Sequence, residues 1–362
     1  MARQLDILAL EPFYGGVRKQ TLELISRHSR HRWTILKLPA RRLERRLNTA
    51  SLWFSQQVSR MGSPSFDLVF TSDAMNLADF QRVNPAVGHK PSVAYVYCNQ
   101  FAGTVAGDQQ ARVALLGTAN VATELWFSSL YHMKGVLSAS AAMYDGHPEL
   151  GGKELVRALV AKSQFMAPPV EIVPPAKDSN VVDAERKGRT ICIDTRDTDP
   201  AIFVGVLKEI SNRKEPIAVH IMGKPIPGIP DGIPVVHVDP RDDAETIRAF
   251  RCCEIFISSQ KCEHFDPLAM RAMAMGCIPV LLRDGYYSEF LPKALQTWCM
   301  YDGSGGELLS RIMDLWYLRR PAVARRELDV IFDRYTPIGS TRNFDQRLAY
   351  LCEQHAARLA GD

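Results

Sequence analysis

The sequence predicts two consecutive α/β domains, because short apolar segments alternate with helical segments in two series that a proline-rich stretch separates. At 362 residues, the chain is long enough for two domains with large cores. Its 46% hydrophobic and 23% charged residues are typical of a globular protein and argue against disorder along the full length. Strands that alternate with helices form parallel sheets covered on both faces. We therefore expect two Rossmann-like domains that face each other across a cleft.

The first series occupies residues 1–168, which we assign to an N-terminal Rossmann-like domain. Its predicted strands are Leu5–Leu10, Trp33–Leu38, Leu68–Thr71, Ser92–Tyr97 and Glu124–Phe127. Its predicted helices include Arg18–Ser29 and Arg112–Ala122. Residues 167–188 contain four prolines and end in a polar, charged stretch, so residues 169–188 are predicted to be a linker.

The second series occupies residues 189–345 and predicts a C-terminal Rossmann-like domain. Its predicted strands are Thr190–Asp194, Ile217–Met222, Pro234–His237, Ile255–Ser258 and Pro279–Leu282. The helices predicted between them are Pro200–Ser211, Asp242–Arg251 and Pro267–Ala274. A further helical pattern over Asn343–Leu359 predicts a C-terminal helix, assigned to residues 346–362.

Composition excludes several classes of protein. No stretch of 18 apolar residues is present, so no transmembrane span is expected, and Asp6 interrupts the short apolar stretch near the N-terminus. The eight cysteines form no C-x-x-C pair, which favours buried thiols in a reducing cytoplasm over zinc ligation. The sequence does not predict the oligomeric state.

Positive charge is concentrated in the segment from Arg18 to Arg46. Its ten basic residues are Arg18, Lys19, Arg27, Arg30, Arg32, Lys37, Arg41, Arg42, Arg45 and Arg46. Only Glu23 and Glu44 oppose them, so the local excess of eight positive charges exceeds the net charge of +4 for the whole chain. The segment is either a solvated helix face and loop or a docking surface for a polyanion such as RNA.

The stretch from residue 258 to residue 292 has the pattern of a phosphate-binding strand–loop–helix. Asp266 is a good helix N-cap, Pro267 is favoured at the first helical position, and Gly276 suits the helix end. The helix N-terminus then follows the carboxyl end of a strand, where it can hold a phosphate. Glu263 precedes this helix and could accept hydrogen bonds from sugar hydroxyls.

These residues carry a resemblance to a known superfamily. The pattern from Glu263 to Pro279 is similar to the donor-site signature of retaining GT-B glycosyltransferases, although Arg271 stands where that signature has its second glutamate. The sequence Tyr287-Ser288-Glu289, followed by Pro292, resembles the superfamily's Tyr-Pro-Glu turn. The resemblance implies a GT-B fold and a nucleotide-sugar donor.

The N-terminal half resembles a narrower family, the tRNA-queuosine alpha-mannosyltransferases. The matching segments are Glu11–Gly16 with Lys19-Gln20, Leu38–Arg42, Thr49, Leu52–Gln56, Ser72, Asn76–Ala78 and Asn99-Gln100. The resemblance implies transfer of mannose from GDP-mannose, with retention of configuration, onto the cyclopentene-diol of queuosine in tRNA. It also implies no bound metal or cofactor and a last helix that packs back toward the N-terminal domain.

The chain departs from the family pattern at several positions. Arg18 replaces a histidine, and Tyr97-Cys98 replaces a His-Glu pair. Ser128-Ser129 replaces an Asn-Ser pair, and Thr195-Arg196 replaces a His-Arg pair without the basic residue that usually follows. A changed donor, a changed acceptor and lost activity are all compatible with these replacements.

The resemblance implies roles for individual residues. Glu263 is assigned as a sugar-hydroxyl ligand and Arg196 as a diphosphate clamp, these two being the catalytic candidates. The donor-binding candidates are Gly223, Lys224, Asp266, Arg271 and Glu289. The acceptor-side candidates are Gly15, Gly16, Arg18, Lys19, Tyr97, Asn99 and Gln100. Each has a plainer alternative: a solvated side chain, a surface ion pair or a tight turn.

The Asp-x-Asp sequence at Asp197-Thr198-Asp199 could suggest a metal site, but Asp199-Pro200 more simply caps a helix. The resemblance implies a metal-independent glycosyltransferase that acts on queuosine in tRNA. Two other functions stay open. One is a glycosyltransferase with a saccharide, lipid or small-molecule acceptor, and the other is a catalytically decayed RNA-binding or scaffold protein.

Overall fold

A computed structural model describes residues 3–62, 64–98, 108–145, 152–172, 189–196, 198–260, 265–317 and 325–361. These residues form two compact units. The first unit comprises the described residues of 3–170, Phe265 and residues 334–361, and the second comprises the remainder between 171 and 333. The second unit thus ends at Asp333, whereas the sequence prediction placed its end at residue 345.

The elements follow the alternation that the sequence predicts. The first unit contains β1 (Asp6–Tyr14), α1 (Gly16–His28), β2 (Arg32–Pro39), α2 (Leu43–Arg60), β3 (Leu68–Ser72), α3 (Leu77–Val83), α4 (Pro85–Gly88), β4 (Ser92–Val96), α5 (Asp108–Val121), β5 (Glu124–Phe127), α6 (Leu130–Asp145), α7 (Gly152–Ala161) and β6 (Ser163–Phe165). The second unit contains β7 (Arg189–Asp194), α8 (Ala201–Asn212), β8 (Ile217–Met222), β9 (Val235–Val238), α9 (Asp243–Cys252), β10 (Ile255–Ser258), α10 (Pro267–Ala274), β11 (Ile278–Leu282), α11 (Tyr287–Phe290), α12 (Lys293–Cys299), β12 (Met300–Tyr301) and α13 (Gly305–Tyr317). The chain then continues through α14 (Arg325–Tyr335) to α15 (Pro337–Gly361), which lies in the first unit.

Each unit is built on a six-stranded sheet in which the paired strands are parallel. The strand order is β2-β1-β3-β4-β5-β6 in the first sheet and β12-β11-β10-β7-β8-β9 in the second. The order reverses between β1 and β3 in the first sheet and between β7 and β10 in the second. Open α/β sheets bind their ligands outside the carboxyl ends of the strands at such switch points. The strand order therefore predicts that each sheet binds its ligand at the carboxyl ends of two strands, β1 and β3 in the first sheet and β7 and β10 in the second.

All ten predicted strands are confirmed, with ends that differ by a few residues. The sequence prediction missed β6 and β12, which have three and two residues and lie at the outer edges of their sheets. Strands this short have too few residues to show a period of two, so only pairing with a neighbour defines them.

Helix α15 is held against the first sheet by aromatic packing. The buried ring of Phe344 stacks on Tyr95, with 6.0 Å between centroids, and meets Trp126 edge-on at 5.0 Å. Arg347 forms an ion pair with Glu124, and that same carboxylate accepts a hydrogen bond from the Trp126 indole at 2.8 Å. These contacts place the last helix in the first unit because its apolar side completes that unit's core.

A buried polar network fixes the other side of α15. The Asp345 carboxylate accepts hydrogen bonds from the Ser29 hydroxyl at 2.5 Å and from the Arg30 N–H at 2.8 Å. His31 accepts from the Leu5 N–H through Nδ1 and donates to the Asp345 carbonyl through Nε2, both at 3.2 Å. Because the Leu5 N–H can only donate a hydrogen bond and the Asp345 carbonyl can only accept one, the imidazole must be the neutral Nε2–H tautomer.

No helix in the described part of the chain is long and apolar enough to cross a membrane.

The neutral state of His31 predicts a stability that depends on pH. Burial lowers the pKa of His31 below its ordinary value, so the network contributes fully above pH 6.5 and weakens as the pH falls toward the folded value. A His31→Gln variant should be less stable than wild type at pH 7.5 because it loses one hydrogen bond. The difference should shrink by up to about 1.4 kcal/mol at pH 5.5. Urea unfolding at both pH values measures this, and a constant difference would contradict it.

Candidate functional site

The second unit concentrates polar groups at the carboxyl end of β7. Asp194 is the last residue of this strand and is fully buried, and Arg196 follows two residues later. The Arg196 guanidinium binds the Asp194 carboxylate through two hydrogen bonds, from Nε at 2.9 Å and from Nη2 at 2.7 Å. The Gln260 amide, just beyond β10, donates to the same carboxylate at 2.8 Å. The switch point thus holds a guanidinium in a fixed orientation.

The Arg196 cation lies between two carboxylates and stabilises their negative charges. Burial raises the pKa of the Asp194 carboxyl, and the hydrogen bonds from Arg196 oppose that shift. Nη2 of Arg196 also lies 3.5 Å from the Asp266 carboxylate, across the switch point. About a third of the Arg196 side chain is exposed to solvent, so the guanidinium can still reach a ligand. This arrangement suits recognition of a phosphate group.

Helix α10 begins and ends as its sequence predicts. Asp266 is the N-cap and accepts a hydrogen bond from the Leu268 N–H at 3.0 Å, with Pro267 at the first helical position. At the other end, Gly276 has a φ of +90° and its N–H donates to Met273, as in a Schellman motif.

Two buried tyrosines hold the start of α10. Tyr287 donates to the Asp266 carboxylate at 2.9 Å, and the Tyr286 hydroxyl accepts from the Asp266 N–H at 2.7 Å. The helix N-terminus is therefore rigidly positioned beside Arg196.

Gly223 makes the close packing around Arg196 possible. It follows β8 with a φ of +117°, a conformation that residues with a side chain rarely adopt. A Cβ atom at Gly223 would lie 2.8 Å from the backbone nitrogen of Arg196. The next residue, Lys224, is exposed, and its carbonyl accepts a hydrogen bond from the Thr195 hydroxyl at 2.6 Å. The segments after β7 and β8 therefore lie against each other.

The remaining donor-side candidates lie in different surroundings. Arg271 is one turn into α10, and its guanidinium is 2.9 Å from the Asp243 carboxylate at the start of α9. Glu289 lies in the short helix α11 and is exposed. Glu263 lies outside the described residues, so the structure does not test its assignment.

In the first unit, an irregularity in β1 shapes the turn at Gly15 and Gly16, two of the acceptor-side candidates. The pairing of β1 with β2 shifts register between Glu11 and Tyr14, and the buried Glu11 carboxylate accepts from the Phe13 N–H at 2.8 Å. Helix α1 then starts at Gly16, whose φ is +53°. A Cβ atom at Gly15 would lie 2.5 Å from Cβ of Ala40. The predicted tight turn at the two glycines is confirmed.

Arg18, another acceptor-side candidate, lies at the centre of a cluster of polar and aromatic groups. Its guanidinium is 2.5 Å from the fully buried Asp73 carboxylate, 4.5 Å from the ring centre of Tyr97 and 3.8 Å from the Cys98 sulfur. The second carboxylate oxygen of Asp73 accepts from the Cys98 N–H at 3.1 Å. Burial lowers the pKa of Arg18, but Asp73 and Glu11 raise it by more, so the guanidinium stays charged.

Burial raises the pKa of both the Glu11 carboxyl and the Tyr97 hydroxyl. Lys19 is exposed, 4.0 Å from Glu23. Asn99 and Gln100 lie outside the described residues.

Sequence analysis missed the carboxylates at both switch points. Arg18 and Arg196 were predicted from the sequence, but their buried partners, Asp73 and Asp194, were not. A signal was present, because each aspartate ends or directly follows a short apolar strand. Gln260 gave no such signal, since only the strand order brings it to Asp194.

The basic segment requires a correction, because its residues do not share one surface. Arg18 is buried against Asp73, and Arg32 makes a two-pronged ion pair with Asp6 at 2.6 Å. These two cations are neutralised within the protein and do not add to a docking surface.

In the Asp-x-Asp sequence, Asp199 lies within the described residues and contributes to the start of a helix. The Asp199 carboxylate accepts from the Ala201 N–H at 3.0 Å, and α8 begins one residue later than predicted. Asp197 lies outside the described residues. Across the described ranges, no group of three or more histidine, cysteine, aspartate or glutamate side chains is placed to hold a metal ion.

Comparison with known proteins identifies related sequences. Residues 6–170 match the family described as tRNA-queuosine alpha-mannosyltransferase N-terminal. The chain is 24% identical to the tRNA-queuosine alpha-mannosyltransferase of Drosophila melanogaster over 364 aligned residues. That alignment covers 94% of this chain and 92% of the Drosophila protein. The resemblance noted in the sequence is confirmed.

Solved structures of GT-B glycosyltransferases share the fold. Anabaena HepE, solved with UDP and glucose, superposes with a TM-score of 0.63 at 11% identity and covers 96% of this chain and 100% of its own. Sucrose-phosphate synthase from Thermosynechococcus elongatus gives a TM-score of 0.61 at 12% identity, with 96% and 99% covered. The predicted GT-B fold class is confirmed.

The packing at Gly223 predicts a local sensitivity to substitution. Gly223→Ala should destabilise the second unit by about 1–3 kcal/mol, because it adds a Cβ to a left-handed residue that lies against Arg196. Gly205→Ala is the matched control, since Gly205 lies in α8 with open space around it and the change should add up to about 1 kcal/mol of stability. Chemical unfolding of both variants tests the prediction, which fails if they behave alike.

Proposed function

Because the chain is related along nearly its whole length to a tRNA-queuosine alpha-mannosyltransferase and has the GT-B fold, we propose that it is a glycosyltransferase acting on queuosine in tRNA. The observation that carries the proposal is the family match over residues 6–170, which coincides with the main segment of the first unit. A tRNA acceptor agrees with the cytoplasmic location that the cysteine pattern predicts.

The proposed donor is a nucleotide sugar, GDP-mannose by family resemblance, held by the second unit. Arg196 and the N-terminus of α10 would bind its diphosphate, since the partly exposed guanidinium and the positive end of the helix dipole both lie at the β7–β10 switch point. Glu263 would accept hydrogen bonds from sugar hydroxyls. Gly223, Lys224, Arg271 and Glu289 are the further donor-side candidates. No bound metal or cofactor is proposed.

The proposed reaction exchanges one bond at the anomeric carbon. The bond to the diphosphate oxygen breaks, and a bond to an acceptor hydroxyl oxygen forms on the same face of the sugar. The nucleoside diphosphate leaves with the electron pair, and the hydroxyl proton is released. Arg196 would stabilise the negative charge that grows on the leaving diphosphate, which is the main contribution that this chain's residues offer.

The acceptor-side residues are proposed to lie in the first unit. Gly15 and Gly16 would allow the backbone to approach the acceptor, and Arg18 and Tyr97 would form the wall behind it, with Lys19, Asn99 and Gln100 as further candidates. The pairing of Arg18 with Asp73 supports a rigid wall rather than a mobile charged group. A saccharide or lipid acceptor, or an RNA-binding role without catalysis, would be revealed by the experiments below.

The donor proposal predicts a specific loss in an arginine variant. Arg196→Lys keeps the charge, but a lysine ammonium cannot form the paired hydrogen bonds that a guanidinium makes with a phosphate. The Kd for GDP-mannose should therefore rise by about tenfold or more. Arg213→Lys is the control, because Arg213 lies at the end of α8 in an exposed ion pair with Glu209. Isothermal titration measures both variants. Wild-type protein without affinity for any nucleotide sugar would refute the donor proposal.

The acceptor proposal predicts transfer that depends on queuosine. Wild-type protein supplied with radiolabelled GDP-mannose should label queuosine-containing tRNA but not the same tRNA with guanosine at that position. If the configuration is retained, an α-mannosidase should release the label and a β-mannosidase should not. Labelling of neither tRNA, together with intact donor binding, would direct the search to other acceptors.

A further inference from the structure

The exposed basic residues of the Arg18–Arg46 segment lie at two ends of the first unit. Helix α1 and strand β2 run in opposite directions, because the connection between parallel strands β1 and β2 is a helix. The carboxyl end of β2 therefore lies near the start of α1, and its amino end near the end of α1. Strand β2 has eight residues, so its two ends are roughly 23 Å apart.

One group of cations, the carboxyl-end patch, comprises Lys37, Arg41, Arg42 and Arg45, all of them exposed. It adjoins the acceptor-side turn. Ala40, the residue before Arg41, lies against Gly15, and the Lys37 ammonium is 4.3 Å from the ring centre of Tyr14. This patch therefore lies at the edge of the first sheet where the acceptor-side residues are found.

The other group, the amino-end patch, comprises Arg27, His28, Arg30 and Arg342. These residues surround the end of α1 and the start of α15, and three of them line a cavity of about 270 Å³ together with Asp345. The basic residues Arg27 and His28 lie in the last turn of α1, where cations stabilise a helix. The amino-end patch thus has a structural explanation that needs no ligand.

The carboxyl-end patch has no such explanation. Arg42, the N-cap of α2, has a φ of +53° and makes no side-chain capping bond, and Arg45 and Arg46 lie in the first turns. Cations at a helix N-terminus repel the positive end of the helix dipole. Glu44 is the only acidic residue in the first turn. Within the described residues, no ion pair under 4.0 Å neutralises Lys37, Arg41, Arg42 or Arg45, so their charges repel one another.

We propose that the carboxyl-end patch, and not the amino-end patch, docks the phosphate backbone of the RNA beside the acceptor-side turn. This inference rests on the proposed function, because the RNA is the acceptor substrate. Phosphate contacts supply affinity and orientation without reading the sequence, which is what a patch of exposed arginines provides. The bases are then recognised elsewhere, at the acceptor-side residues.

Paired double variants test the placement. One double variant, Arg41→Gln with Arg45→Gln, removes two positive charges from the carboxyl-end patch. The control, Arg27→Gln with Arg30→Gln, removes two positive charges from the amino-end patch. The Kd for tRNA is measured from 0.05 to 0.3 M salt, with GDP-mannose binding and thermal unfolding as checks on folding. The carboxyl-end variant should bind tRNA at least tenfold more weakly and lose about two from the salt slope, one for each phosphate contact. The control should stay within threefold.

Equal weakening by both variants, or weakening confined to the amino-end variant, would overturn the placement. Sugar transfer is assayed in parallel to separate the two proposals. If wild type labels queuosine-containing tRNA and the carboxyl-end variant does so equally well at limiting tRNA, the docking surface is refuted and the enzyme function stands. If wild type labels no tRNA but its RNA binding depends on the carboxyl-end patch, the docking surface stands and sugar transfer to queuosine is refuted.

Discussion

A guanidinium paired with a fully buried carboxylate lies at the switch point of each sheet. Arg18 follows β1 and binds Asp73, which follows β3. Arg196 follows β7, binds Asp194 at the end of that strand and approaches Asp266, which follows β10. Breaking such a pair leaves an uncompensated buried charge, which costs several kcal/mol. The loops at both switch points are therefore anchored by charge as well as by the apolar core beneath them.

Glycine allows the backbone to come close enough for this anchoring. Gly223 leaves room for the Arg196 backbone, and Gly15 leaves room for Ala40. Gly16 reverses the chain between β1 and α1 in the left-handed region. In each unit, the loops after neighbouring strands pack against each other at the edge that holds the candidate ligand groups. In both units, a glycine thus allows two neighbouring loops to pack closely, although the loop sequences differ.

Three of the residues that depart from the pattern of the tRNA-queuosine alpha-mannosyltransferases are neighbours in the folded protein. Arg18 is far from the adjacent residues Tyr97 and Cys98 in sequence, yet its guanidinium lies over the Tyr97 ring and beside the Cys98 sulfur. A change at one of these positions alters the surroundings of the other two. The cluster around Arg18 therefore departs from that pattern as a unit, while α10 keeps the expected N-cap and proline at its start and the expected glycine at its end.

The amino-acid sequence by itself determined the two α/β units, ten of the strands and both ends of α10. These features depend on local periods and capping residues, which neighbouring residues specify. The edge strands β6 and β12 came only with the tertiary structure, because two or three residues show no period and pairing alone defines them. The partners Asp73 and Asp194 also needed the fold. Although each carries a strand-end signal, only the strand order brings a guanidinium to it.

The division of the basic segment was likewise decided by the tertiary structure. In the sequence, ten cations form one continuous stretch. In the fold, a helix and a strand that run in opposite directions carry them to two ends of a unit, and burial removes Arg18 from the surface. The sequence gives the distribution of charge along the chain. The charge on a surface depends also on where the backbone turns and on which charged side chains are buried or form ion pairs.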